Sequence, residues 1–173
     1  MLAPITSIIG LSLGLGVQAC AAKQVTTKRA EKWQPQVGAS WQIVLYGAID
    51  LSDLSSLEPD VDVYDLDLYE NDAEVFSQIQ SMGKKVICYF SGGSYEDWRP
   101  DAGDFKSSDL GAPLDEWEGE NWIDLNSENI RNIMAKRVEL AAEKGCDAID
   151  PDNVDGYVSY SAVLAFNLVL PRS

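Results

Sequence analysis

The sequence predicts an α/β fold built on a parallel β-sheet, and two observations support this interpretation. Short apolar runs rich in β-branched residues alternate with longer runs whose apolar residues follow helical spacing, as in β-α units. Aspartates end or follow several of the strand-like runs. The 173-residue chain contains no histidine, which excludes histidine triads and histidine metal sites. Any chemistry must therefore rest on carboxylates.

The first residues have the composition of a targeting segment. Met1–Ala22 carries no charged side chain, Ile8–Val17 is an apolar core, and Ala19-Cys20-Ala21 fits a small-residue cleavage site. We expect residues 1–21 to be a signal peptide and residues 22–32 to be a flexible linker. The mature protein would then be secreted and extracellular, with no membrane attachment after cleavage. A buried N-terminal helix is the alternative.

Five segments of the region 33–157 have the pattern of β-strands. The second alternates with period two, and the third is a continuous apolar run of the kind found in buried strands. In chain order the five candidates are Gln42–Tyr46, Val61–Leu68, Lys85–Phe90, Trp122–Leu125 and Asp147–Asp150.

Two segments between these strands have helical spacing. Asp72 is placed to cap the first helix and Gly83 to end it. Asn126 or Ser127 caps the second helix, and Gly145 ends it. The apolar positions of the first helix are Val75, Phe76, Ile79 and Met82. Those of the second are Ile130, Ile133, Met134, Val138 and Ala141.

A long connection, residues 91–121, joins the third and fourth candidate strands. Loops of such length in compact domains are usually functional or disordered. This one contains Trp98 and Trp117 among several acidic residues. Aromatic faces combined with carboxylates suit the binding of sugars, and ordinary packing of the loop is the alternative.

Several aspartates are predicted at the carboxyl ends of the strands, where the active site of a parallel α/β barrel lies. Period two puts Asp65 and Asp67 on the inward face of the second strand. Asp124 lies in the fourth candidate and Asp150 ends the fifth. Asp152 follows a proline that we expect to stop strand pairing. The alternative is that these aspartates cap helices and turns.

The charge of the chain restricts its partners. The formal net charge is -15, so nucleic acids and anionic membranes should be repelled, and we expect neither as a partner. A cationic ligand would be attracted.

Two chemistries use converging carboxylates without histidine. One is the binding of calcium or magnesium, and DPDNVDG superficially resembles a calcium loop. Counted from Asp150, position 5 is Val154 and position 12 is not glutamate, so the EF-hand pattern fails. We therefore expect no metal and no cofactor. The other chemistry is glycoside hydrolysis, in which one carboxylate attacks or activates water and another group donates a proton.

After cleavage of the signal peptide, two cysteines remain, Cys88 and Cys146. In an oxidising compartment they allow one disulfide. Two buried free thiols are the alternative, because pairing depends on geometry that the sequence does not show.

Motifs spanning Trp33 to Tyr157 resemble those of glycoside hydrolase family 114, in order and with sensible spacing. They read WQIVLYG, VDVYDLDLY, GKKVICYFSGGSYEDWRPD, WIDL, IMAKR and GCDAIDPDNVDGY. The resemblance implies a (β/α)8 TIM barrel that hydrolyses α-1,4-linked polysaccharides of galactosamine or galactose, as a polygalactosaminidase or α-galactosidase-like enzyme. Deacetylated galactosamine is cationic, which suits the negative charge of the chain.

The resemblance and the aromatic loop together suggest the site residues. Asp152 is expected as the nucleophile, and Asp150 remains a rival for that role. Substrate binding is expected from Asp67, Tyr89, Glu96, Trp98, Arg99, Asp124, Asn153 and Asp155.

The likeness ends at Tyr157. Residues 158–173 form an atypical apolar tail without the NEQC-like motif expected to carry the second catalytic carboxyl group. With about five of eight strands, we expect an incomplete barrel and a truncated or mispredicted product of weak or no activity. A genuine short variant is the alternative. The competing functions are a non-catalytic carbohydrate-binding remnant and an acidic metal-binding module.

Overall fold

The computed structural model describes residues 32–50, 52 and 57–156. The expectations for the signal peptide, for nearly all of the linker and for the tail at 158–173 lie outside the described residues. In chain order the elements are β1 (Trp41–Val44), β2 (Val63–Asp67), α1 (Ala73–Ser81), β3 (Lys85–Ser91), β4 (Ser94–Glu96), β5 (Leu110–Pro113), β6 (Glu120–Ile123), α2 (Glu128–Lys144) and β7 (Ala148–Asp152).

The centre of the fold is a parallel sheet in the order β1-β2-β3-β7. All three strand pairs are parallel, and α1 connects β2 to β3 while α2 precedes β7. The register places Asp67, Tyr89 and Asp150 side by side across three strands. The predicted alternation of strands and helices on a parallel sheet is therefore present.

The fourth predicted strand does not belong to this sheet. β6 pairs antiparallel with β4 and β5 in a second, three-stranded sheet of order β4-β6-β5. The prediction that Trp122–Leu125 is a strand of the parallel sheet was therefore wrong. A period-two pattern identifies a strand but not its partner, and Trp122 packs with Leu114 inside the long connection rather than on the central sheet. The connection is ordered by this small sheet.

The core lies between the parallel sheet and the helices. Tyr64, Leu66 and Leu68 project from β2 and its end into the same cluster as Phe76 and Ile79 of α1. From β3 the cluster receives Val86, Cys88 and Phe90. Burial of each large apolar side chain contributes on the order of 1.5–3 kcal/mol. Because β2 alternates, this packing turns Asp65 and Asp67 to the opposite face, as predicted.

The predicted apolar side of α2 is right except at one position. Ile130, Ile133 and Ala141 are buried, whereas Val138 is 44% exposed. The neighbouring Arg137 is 1% exposed and occupies the buried stripe instead. Arginine lies there because its guanidinium reaches carboxylates beyond the apolar cluster, as described below.

The helix ends follow the sequence signals closely. Asp72 lies at the N-cap of α1 without a side-chain capping bond, whereas the Ser127 hydroxyl accepts a hydrogen bond from the N–H of Ile130 at 3.5 Å. Gly145 ends α2 with φ 83°, the left-handed conformation that favours glycine. Cys146 follows it directly and is joined by a disulfide to Cys88 of β3, with a Cα–Cα distance of 5.9 Å. Within the described ranges, no helix is long and apolar enough to cross a membrane.

Strand β7 continues through Pro151, contrary to the expectation that this proline stops pairing. Pro151 is in register with Phe90, and the carbonyl of Asp152 accepts hydrogen bonds from Gly92 at 2.8 Å and Gly93 at 3.1 Å. β7 lies at the edge of the described sheet, where a missing N–H costs no ladder bond. The backbones approach so closely here that a Cβ at position 93 would overlap the carbonyl of Asn153.

Candidate active site

A cavity of ≈ 430 Å³ opens beside the carboxyl ends of β1, β2 and β3. The parallel strands and their loops supply one part of its wall, and the second sheet with its turns supplies the other. The lining residues are Leu45, Tyr46, Gly47, Asp67, Glu70, Tyr89, Glu96, Trp98, Arg99, Trp117 and Glu120. Five of the predicted substrate-binding residues therefore meet at one place: Asp67, Tyr89, Glu96, Trp98 and Arg99.

A buried arginine organises the floor of the cavity. Arg99 donates two hydrogen bonds to Asp67, from Nη1 to Oδ1 at 3.0 Å and from Nη2 to Oδ2 at 2.8 Å. Its Nη2 also lies 2.9 Å from Oε1 of Glu96. Bidentate pairing of this kind fixes the relative orientation of the two side chains in addition to pairing their opposite charges. Asp67 and Glu96 are thus held in place by one cation that both share.

A second buried arginine, Arg137, braces this group from α2. Its Nε and Nη2 donate to the two carboxylate oxygens of Asp101 at 2.8 and 2.9 Å, and Nη1 donates to the carbonyl of Ser91 at 2.6 Å. Nη1 also lies 3.9 Å from Oε2 of Glu96. The sequence reasoning missed Arg137. The sequence did contain a signal for it: Arg137 follows Ile133 by four residues, which puts a charged residue on the predicted apolar side of α2.

The two candidate nucleophiles lie next to the cavity on β7. Tyr89, which lines the cavity, donates its hydroxyl hydrogen to Oδ2 of Asp152 at 2.8 Å. Burial raises the pKa of the Tyr89 hydroxyl, and the hydrogen bond to Asp152 raises it further, so the hydroxyl remains a donor. Asp152 is exposed at the end of β7, and Asp150 is half-buried beside Tyr89. Asp152 is therefore connected to the cavity through its hydrogen bond with Tyr89, a lining residue.

Asp65 lies one inward position before Asp67 and is almost completely buried. It is 1% exposed, and neither carboxyl oxygen has a hydrogen-bond partner among the described residues apart from its contact with the neighbouring carboxyl of Asp150. Burial, followed by Asp150 and the charge of Asp152, raises the pKa of Asp65 to about 8. At neutral pH Asp65 therefore carries a proton beside the candidate nucleophiles. Burial without a cationic partner penalises the charged form of a carboxyl group and so favours the neutral form.

Asp65 should make the free energy of unfolding fall as the pH rises. Between pH 6 and pH 8 the folded state holds a proton on Asp65 that the unfolded state has lost, so rising pH favours unfolding. In the wild type this lowers the free energy of unfolding by about 2 kcal/mol between pH 6 and pH 8, and Asp65→Asn should abolish that decrease. Urea unfolding at both pH values measures it. Asp60→Asn, at an exposed position before β2, is the control and should keep the wild-type difference. An unchanged difference in Asp65→Asn would contradict the prediction.

Three of the predicted substrate-binding residues do not line the cavity. Asp124 lies in a turn, where its Oδ1 accepts from the N–H of Asn126 at 2.9 Å; it is not at the end of a parallel strand, because β6 is antiparallel. Asp155 lies in an exposed turn. Asn153, with φ 57°, donates its amide to the hydroxyls of Ser91 at 3.1 Å and Ser94 at 3.0 Å. It ties the end of β7 to the second sheet.

Glu120 is a cavity residue that sequence reasoning missed. It is 6% exposed, and its Oε2 accepts a hydrogen bond from the Ser94 hydroxyl at 2.7 Å. Burial raises the pKa of the Glu120 carboxyl; the Ser94 hydrogen bond opposes this and the charge of Glu96 adds to it. The sequence held no signal for it, because the residue follows a run of exposed acids at the end of a loop.

Aromatic side chains form the outer rim of the cavity. Trp98 is 52% exposed and Trp117 is 59% exposed, and Tyr46, which follows β1 and lines the same cavity, is almost completely exposed. Among the described residues, no group of three or more cysteine, aspartate or glutamate side chains is arranged to hold a metal ion. The cavity thus combines open aromatic faces with carboxylates.

Comparisons with known proteins agree with this arrangement. A family model described as glycoside-hydrolase family GH114 matches residues 22–168. The crystal structure of Aspergillus fumigatus Ega3 in complex with galactosamine is 50% identical in sequence, with a TM-score of 0.71; the match covers 76% of this chain and 51% of that one. The chain thus spans about half the length of this solved relative. The search of curated proteins returned no match.

More distant structures show the same fold. The glycoside hydrolase domain of PelA from Pseudomonas aeruginosa is 17% identical with a TM-score of 0.56, over 69% of this chain and 47% of that domain. Its E218A variant gives a TM-score of 0.55 over the same shares. These likenesses and the parallel sheet confirm an α/β fold of the (β/α)8 TIM-barrel type, of which the described residues supply four parallel strands.

Proposed function

Because the chain belongs to glycoside-hydrolase family GH114, we propose that it acts in the hydrolysis of α-1,4-linked polysaccharides that contain galactosamine. The observation that carries this proposal is the cavity itself, in which exposed tryptophans stand beside an excess of carboxylates. The solved relative that is half identical in sequence holds galactosamine in its crystal structure. Neutral galactose polymers are the second substrate class that the same geometry would admit.

The charges of the cavity favour a cationic sugar. Asp67, Glu70, Glu96 and Glu120 line it, and Arg99 is the cation among the lining residues. This excess of negative charge lies in a partly enclosed space, where electrostatic attraction is stronger than in open water. A deacetylated galactosamine unit carries an ammonium group that would balance it, whereas an anionic sugar would be repelled.

We assign the nucleophile to Asp152, with Asp150 as the alternative. Asp152 is the more exposed of the two, and its Oδ2 is oriented by the Tyr89 hydroxyl. A carboxylate that attacks a sugar must be accessible, and Asp152 meets this condition better than the half-buried Asp150. Glycoside hydrolysis takes a second carboxyl group. We propose that this second carboxyl group belongs to the part of the barrel outside the segment matched to the solved relative. We also propose that the enzyme is secreted.

The experiment compares three polymers. The chain is incubated with polygalactosamine, with its fully N-acetylated form and with a neutral galactan, and released oligosaccharides and binding are both measured. The same assays use a chimera in which the chain is joined to the half of the Aspergillus relative that it does not span. We expect binding of polygalactosamine by both proteins and hydrolysis by the chimera. Binding without hydrolysis in both proteins would favour a carbohydrate-binding role. The absence of both binding and hydrolysis would refute the proposal.

A further inference from the structure

One buried carboxylate of the cavity, that of Glu120, forms no ion pair among the described residues, although the charge of Arg99 acts on it. Asp67 and Glu96, in contrast, share Arg99 as an ion-pair partner. The register of the second sheet places Glu120 directly opposite Glu96. Like charges at directly opposite positions of an antiparallel pair destabilise a sheet. A further positive charge close to both glutamates would relieve this repulsion.

The oxygens of these two glutamates have spare capacity to accept hydrogen bonds. Oε2 of Glu120 is held by the buried hydroxyl of Ser94 at 2.7 Å. Oε2 of Glu96 has no hydrogen-bond partner, although the residue is only 3% exposed and lines the cavity; Nη1 of Arg137 lies 3.9 Å away. An unpartnered buried carboxylate oxygen carries a desolvation cost until a donor reaches it. Both residues line the cavity, although Oε2 of Glu96 is itself shielded from solvent on the side of Arg137.

The surroundings of Glu120 suit a primary ammonium group. An ammonium has three N–H donors and a compact charge, so it can contact two carboxylates at once. Trp98 and Trp117 line the same cavity, and the faces of tryptophan rings attract cations. An N-acetylated amine has one N–H, no charge and a larger substituent, and it could neither neutralise the pair nor contact both members.

We infer that Glu120 is the residue that binds the ammonium group of a galactosamine unit, with Glu96 as its neighbour, and that it thereby selects the deacetylated sugar. This inference rests on the proposed function, since it concerns the same cavity and the same substrate class. Glu120 is a specificity residue here and takes no part in bond cleavage. The Ser94 hydroxyl is its positioning partner.

The test is binding by the whole chain of a galactosamine oligomer and of its fully N-acetylated counterpart, measured by calorimetry. Glu120→Gln keeps the volume and the acceptor for Ser94 but removes the charge. We expect it to weaken binding of the galactosamine oligomer by about tenfold or more, the size of a lost charge-assisted hydrogen bond, and to leave the N-acetylated oligomer unchanged. Glu118→Gln, an exposed residue of the same loop, is the control and should bind both oligomers as the wild type does.

Equal weakening for both oligomers, or none for either, would overturn the inference. If the wild type binds the galactosamine oligomer and Glu120→Gln binds it equally well, the proposed function stands and this inference falls. If the wild type binds neither oligomer, both fall. Should Glu120→Gln fail to fold by circular dichroism, Glu120→Asp keeps the charge but retracts it, and a loss confined to the amino sugar would still support the role. The wild-type preference for the amino sugar must also shrink at high salt.

Discussion

Replacing Asp152 by asparagine should lower the hydrolysis of polygalactosamine by about 1,000-fold or more in the chimera, without changing binding of the polymer. Asparagine has nearly the same shape and can still accept the hydrogen bond from Tyr89 at the position of Oδ2. It cannot attack the sugar as an anion, and loss of a nucleophile removes most of the rate enhancement. Initial rates of reducing-end release measure the effect, and calorimetry measures binding.

Two further variants complete this experiment. Glu139→Gln changes an exposed acid on α2 and should leave the rate at the wild-type value. Asp150→Asn tests the rival residue directly. If Asp150→Asn abolished turnover while Asp152→Asn retained it, the nucleophile would be Asp150, and the orientation of Asp152 by Tyr89 would serve another purpose.

Replacing Arg137 by methionine should destabilise the fold by about 3–5 kcal/mol, the usual cost of removing one partner from a buried ion pair. Methionine fills a similar volume, so the cavity term is small. The cost arises because Asp101, the carbonyl of Ser91 and Glu96 lose the guanidinium that now contacts them. Urea unfolding followed by tryptophan fluorescence gives the free energy of unfolding.

The adjacent residue provides the matched control. Lys136 is 67% exposed at its side chain and pairs with Asp104 at 3.2 Å. Lys136→Met removes the same charge from the same helix, but exposed pairs contribute about 0–1 kcal/mol. A loss of similar size in both variants would mean that the helix, rather than the buried network, responds to the charge.

The sequence predicted which side chains of a strand point inward better than it predicted which other strand it pairs with. The alternation of β2 was enough to turn Asp65 and Asp67 inward, because Leu66 and Leu68, which alternate with them, had to pack against helices. The same reasoning assigned Trp122–Leu125 to the parallel sheet, where it does not belong. Pairing depends on contacts between residues distant in sequence, and a short alternating run fits an antiparallel hairpin equally well.

The candidate site was predictable to the same extent. Residues in strand-end motifs, such as Asp67 and Tyr89, reach the cavity. Arg137 and Glu120 were missed because each acquires its environment only when the long connection folds back on the central sheet. The neutral form of Asp65 is likewise a property of the folded surroundings: nothing in the local sequence distinguishes it from Asp67, which is paired with an arginine.

The close approach of the turn after β3 to the end of β7 also gives a rule for comparing this chain with other sequences. No side chain fits at position 93, because its first carbon would occupy the space of the Asn153 carbonyl oxygen. A homologue with any residue other than glycine at this point must separate the two segments, and with them the strand that carries Asp150 and Asp152 from the one that carries Tyr89. Glycine at this one alignment column is thus a diagnostic marker for sequences that preserve the geometry of the site.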